Sequence, residues 1–166
     1  MKKKIIIPIS AVVVVLIAGL VILINDNDKK AEDFFAFREL LDEDFFPILR
    51  DSGDYFDTLI ERENDIGTYF VEDGYDVNLK LKSRLKEVKY MVINTDANYE
   101  DTHALKKNVL TIIADMEHFL SSIYTMSPSQ YDFEARKLFY DLLGRGTEDL
   151  AKQVREMNEI LGEYYH

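Results

Sequence analysis

Apolar residues along this chain follow two patterns, a solid block near the N-terminus and helical stripes everywhere after it. Residues 5–24 are apolar except for Ser10 and carry no charge. Twenty residues at about 1.5 Å rise make about 30 Å of helix, the hydrocarbon thickness of a bilayer. The block therefore predicts a membrane-spanning helix. A buried helix of a soluble protein would show a polar stripe, which this one lacks. Pro8 falls in the first turn or so, where its missing N–H is tolerated. A cleavable secretory signal has a shorter apolar core and small residues at its exit, whereas Ala18-Gly19 is followed by Leu20-Val21-Ile22-Leu23-Ile24. The expected reading is a retained signal anchor.

Beyond Lys29 the period is helical. Leu105, Val109, Ile112, Met116, Phe119, Ile123 and Met126 recur at alternating spacings of four and three, a seam of about three heptads. Asn98 is the expected cap of that helix, with Glu100 and Asp101 in its first turn, where the helix dipole favours acids. Ser127-Pro128-Ser129-Gln130 reads as a capping box with proline at N1, opening a last helix. Tyr131, Ala135, Leu138 and Leu142 are its expected inner face, followed by Leu150, Val154, Met157, Leu161 and Tyr164. Gly144 and Gly146 flank Arg145 between these runs, and a bend is expected there because each glycine costs a helix about 1 kcal/mol relative to alanine.

Upstream, residues 30–72 read as one long or kinked helix with seams Phe34, Phe37, Leu41, Phe45, Ile48 and then Phe56, Leu59, Ile66, Phe70. Pro47 and Ser52-Gly53 predict a kink or split at residues 46–54. Gly74 suits a left-handed helix stop. Asp76 is then the expected cap of a helix from Val77 to about Asn94, with Leu81, Leu85, Val88 and Val92 inward and Lys80, Lys82, Arg84, Lys86 and Lys89 outward. Short connections at residues 73–76, 95–98 and 126–128 make successive helices antiparallel. The fold class expected is all-α, an N-terminal transmembrane helix followed by an antiparallel up-down bundle of about four helices. Its parts are a cytoplasmic tail at 1–4, the anchor at 5–24, a linker at 25–30 and an extracytoplasmic bundle at 31–166.

Charge sets the orientation. Lys2, Lys3 and Lys4 with the terminal amine favour a cytoplasmic N-terminus, against the smaller opposing count of Lys29 and Lys30. The expected location is the cell membrane, single-pass, with the C-terminal domain outside the cytoplasm. All 31 acidic residues lie beyond the span with 17 of the 20 basic ones, so this part carries −14. Such a domain does not bind nucleic acid through counterion release. Its expected partners are membrane lipid, through residues 5–24, and a protein or a second copy of the chain. Cysteine is absent, which removes disulfides and thiolate sites.

Motifs for chemistry are thin. Glu100-x-x-His103 resembles half of a di-iron bundle motif, but its counterpart Asp115-x-x-His118 begins twelve residues past His103 on the same helix, about 18 Å away. One metal pair cannot use both. No G-x-S-x-G elbow occurs, and Gly144-Arg145-Gly146 lacks the length and Lys-Ser/Thr of a phosphate loop. Catalytic, cofactor and metal residues are therefore expected to be none. Two other features point to binding. Glu63 takes a seam position between Leu59 and Ile66, where a polar residue can line a ligand cavity. Phe34, Phe35, Phe37, Phe45 and Phe46 are five phenylalanines in thirteen residues, more than one narrow stripe needs, so part of that surface is a candidate partner contact.

An anchor followed by an extracytoplasmic helical bundle resembles, in architecture alone, the sensory half of a bacterial chemoreceptor. No signature residue carries that likeness further, and no family is assigned. The function expected is a non-enzymatic, membrane-anchored bundle acting as an interaction or scaffold module. The alternative is a small-ligand-binding bundle that signals through a separate membrane partner.

Overall fold

A computed structural model describes residues 28–127 and 132–163, and every regular element among them is helical. The apolar run 5–24 lies outside the described residues. Among those that are described, no helix is long and apolar enough to cross a membrane.

The first helix, α1, runs over residues 28–61 without a break. It consists of Asp28–Leu40, a π turn at Leu41–Phe45, and Phe46–Glu61. The split expected at residues 46–54 is not there. The π turn takes its place: the Phe46 N–H bonds to the Leu41 carbonyl five residues back, and Pro47 enters at the start of the following α segment. Widening the turn by one residue accommodates the ring and the missing donor that would otherwise break the ladder. Ser52 and Gly53 are buried inside the helix rather than at a break.

The chain reverses at Arg62–Asp65, about ten residues earlier than expected. Glu61-Arg62-Glu63-Asn64-Asp65 is a run of five polar residues with nothing to bury, and an Arg62–Asp65 ion pair of 2.7 Å closes the turn. The second helix, α2, then spans residues 66–94 as Ile66–Tyr69, a second π turn at Phe70–Gly74, and Tyr75–Asn94. Gly74 is therefore no helix stop. Its φ of −59° and ψ of −36° are ordinary right-handed helix. Space explains the glycine: a Cβ there would lie 2.9 Å from Phe70 Cδ1 and 3.1 Å from Tyr69 Cε1. Asp76 is an exposed residue within the helix, not its cap.

Helix α3 is Glu100–Met126, with Glu100 and Asp101 in the first turn as the dipole favours. Asn98 does not cap it. Its side chain donates instead to Asp33 of α1 at 2.9 Å, and the Lys30–Asp101 pair at 2.7 Å lies in the same region. Lys106 finishes α2 by donating to the carbonyls of Ile93 and Thr95 at 2.8 and 2.7 Å. Helix α4 is Phe133–Glu163. Asp132 caps it, its carboxylate accepting from the Ala135 N–H at 3.0 Å. Of the capping box expected at Ser127-Pro128-Ser129-Gln130, residues 128–130 lie outside the described residues, and Ser127 pairs with the Tyr75 hydroxyl at 2.5 Å.

Helix α4 runs through Gly144-Arg145-Gly146 without a break. A Cβ on Gly146 would stand 2.3 to 2.7 Å from three carbons of the Phe119 ring, so this glycine lets α3 and α4 approach closely. The inner face of the first half of α4 is also turned from the one expected. Phe139 and Leu143 are buried, while Leu138 is 57% exposed. Four antiparallel helices result, and their buried side chains form one continuous cluster. Asp51–Arg84 joins α1 to α2, Tyr75 against Tyr124 joins α2 to α3, and the Tyr140 hydroxyl donates to the Leu59 carbonyl to join α4 to α1.

Candidate functional site

The aromatic group near the start of α1 divides between core and surface. Phe34, Phe37, Leu41 and Phe45 recur at spacings of three and four, and all four are completely buried. Three of the five phenylalanines expected to meet a partner therefore hold the bundle together. Phe46 is half-buried and packs against the core. Phe35, one residue off the seam, keeps 37% of its surface in solvent. Glu63 is exposed in the α1–α2 turn, because the turn removes it from the seam. It reaches the bundle only as a nearby charge on Tyr140.

Buried polar groups gather where the second π turn faces α1. The Tyr55 hydroxyl donates to the Gly74 carbonyl at 3.2 Å, and Asn78 donates to the Leu120 carbonyl at 3.0 Å and to Tyr55 at 3.5 Å. Asn78 is completely buried, so this network ties three helices together rather than meeting a ligand. Burial pushes the Tyr55 phenol well above its ordinary value. Burial, reinforced by the negative charge of Glu63, pushes Tyr140 up to about 12. A phenol whose folded pKa is raised stabilises the fold below its unfolded value of about 10, and that contribution is lost as pH rises toward the folded pKa. Alkaline melts should therefore show stability falling from pH 10 upward. Tyr140→Phe should flatten that limb, while losing about 1 kcal/mol at neutral pH with the Leu59 hydrogen bond. Parallel limbs for variant and parent would show that this phenol does not contribute.

Asp33 behaves oppositely. Burial works to raise its pKa, but the nearby Thr102 hydroxyl and the hydrogen bonds from Asn98 outweigh it and hold the carboxyl below the usual range. His103 and His118 are exposed on α3. Among the described residues no three His, Asp or Glu side chains converge where they could hold a metal ion.

Two surface features remain. One is an apolar strip: Val71, Tyr75 and Leu79 recur every four residues on one face of α2, with Val71 81% and Leu79 49% exposed. Tyr124 of α3 extends it, 41% exposed and with its ring 5.0 Å from that of Tyr75. The spacing of four was legible in the sequence. It was masked by the expectation that the chain turned at residues 73–76, which placed Val71 and Leu79 on different elements.

The second is an open trough of about 880 Å³ between α3 and α4. Ile112, Phe119 and Leu150 form its floor. Gln153 crosses it to hydrogen-bond Asp115. No family model, no curated protein and no solved structure matches this chain.

Proposed function

We propose that this protein is a membrane-anchored interaction module. Residues 5–24 hold it in the cell membrane with the N-terminus cytoplasmic, and the acidic bundle outside the cytoplasm meets another protein. The observation that carries the reading is the strip of Val71, Tyr75, Leu79 and Tyr124, which leaves large apolar side chains in solvent while the helix seams are buried. Interaction sites are the usual reason for such exposure. With α1 covering 34 residues, about 51 Å of helix separates Asp28 from the α1–α2 turn, so the strip lies toward the end of the bundle away from the anchor.

The experiment has two stages on the full chain. Membranes washed with high salt and then alkaline carbonate should retain the protein, and its release would remove the anchor. Mild detergent extraction followed by cross-linking should then capture a partner that the Val71→Ser, Leu79→Ser double variant loses. Both positions are exposed, so the variant should melt within about ±0.5 kcal/mol of the parent. Undiminished capture by a folded double variant would refute the strip as the contact. The second reading, a small-ligand-binding bundle, rests on the polar walls of the α3–α4 trough.

A further inference from the structure

We propose that two copies of the chain associate through their α3–α4 faces, about a two-fold axis running along the bundle. The inference goes beyond the interaction reading, concerns a different face of the bundle, and rests on the same anchor. Copies held in one membrane project the same way, so a two-fold axis relating them lies along the membrane normal. The α3 wall of one trough then meets the α4 wall of the other at the same height.

Charge favours this face. A domain carrying −14 repels its own copy in sum, and like charges brought together oppose association. The trough differs: Lys107, Arg145 and Lys152 balance Asp115, Asp149 and Glu156 along its walls. The register is set by the Asp115–Gln153 hydrogen bond and by Gly146 against Phe119. Lys152 is therefore level with Asp115, Asp149 nearly level with His118, and Glu156 within about two turns of Lys107. An isologous contact repeats each pairing twice, so Asp115 of one copy meets Lys152 of the other, and the reverse. Arg145 is already turned back on α4, its Nε donating to the Asp141 carbonyl.

Two further observations fit a second helical pair better than a small molecule. The trough extends from Ala104 to Ser122 on α3, about 27 Å, and is open along its length, whereas small-ligand sites enclose most of the ligand's surface. The carboxamide oxygens of Asn108 and Gln153 are buried along it with no hydrogen-bond partner among the described residues. Unpaired buried acceptors are costly, and because both side chains are only half-buried, turning a carboxamide outward brings its oxygen to donors on a facing copy. Anchoring both copies in one membrane raises their effective concentration, so a largely polar contact suffices.

The chain lacks cysteine, which gives a clean background for the test. Full-length single-cysteine variants in native membranes are treated with a short bis-maleimide. Thr111→Cys, on the trough, should give cross-linked dimer, and Ser83→Cys, exposed on α2, should not. Adding Lys152→Glu should lower the Thr111→Cys dimer yield about tenfold, and Asp115→Lys in the same chain should restore it. Circular dichroism of each purified variant confirms that the bundle is folded. No dimer at Thr111, equal dimer at Ser83, or a charge swap that fails to restore a folded variant would overturn the inference. So would a small molecule retained in the trough by the monomer in native mass spectrometry. Partner capture by a chain that stays monomeric would overturn it too, while leaving the interaction reading standing.

Discussion

Truncating Phe45 to alanine is expected to destabilise the bundle by about 3–5 kcal/mol, the largest single effect anticipated here. Its ring is completely buried beside the first π turn, where α1 carries Leu41, Phe45 and Ile48 into the shared core. Removing it deletes the transfer free energy of the ring and leaves a cavity that a helix already widened at that turn cannot easily close. A domain of this size has about 5–15 kcal/mol in total, so the variant should melt many degrees lower or be partly unfolded. Phe35→Ser is the counterpart. Ten residues away and off the seam, it should lose only about 1 kcal/mol. Urea unfolding of the two variants, followed by circular dichroism, checks the division between core and surface. Similar losses from both would mean that the aromatic group is not divided as described.

The two glycines of α4 should respond with opposite signs. Gly144 has open space where a Cβ would go, so Gly144→Ala should stabilise by up to about 1 kcal/mol through helix propensity. Gly146→Ala gains the same propensity but drives a methyl group into the Phe119 ring. That ring is held from the other side by Phe56, their centroids 4.9 Å apart, so it cannot retreat freely. Overpacking of this kind costs about 1–3 kcal/mol, and a net loss is expected. Stabilisation by both substitutions would show that helix propensity, not close packing, governs the segment.

This contrast also explains why the middle of the last helix is not legible in the sequence. Two glycines two positions apart carry the same local signal for a bend, and local propensity is all that a single sequence offers there. Yet Phe139, Leu143, Gly146, Leu150, Val154, Met157 and Leu161 make an unbroken seam of threes and fours once Gly146 counts as a core position. Glycine contributes no apolar side chain to such a pattern. Its membership appears only when the Phe119 ring is seen lying against it.

Similar reasoning applies to Glu63 and the first turn. The run Glu61 to Asp65 was a visible reversal signal, but the apolar residues on either side could be joined into one seam by letting Glu63 occupy it. Gly74, about ten residues later, carries the local signal of a helix stop although it lies inside the helix. The π turn at Phe70–Gly74 explains the conflict. A turn holding an extra residue shifts the seam without ending the helix, and it has no reliable signature in the order of residue types.

What the sequence determined by itself is the all-helical class, the number of long helices and most of the core. These follow from apolar side chains at three- and four-residue spacing, a local property that any partner helix must respect. It also determined the charge contrast between the apolar run and the acidic remainder. The tertiary structure alone decided where α1 turns into α2, that proline and glycine sit inside continuous helices, and which phenylalanines are left outside. It alone brought Asp115 level with Lys152 across the α3–α4 trough. Those outcomes depend on which faces meet and how closely two backbones approach, and such distances are fixed by packing between segments far apart in the chain.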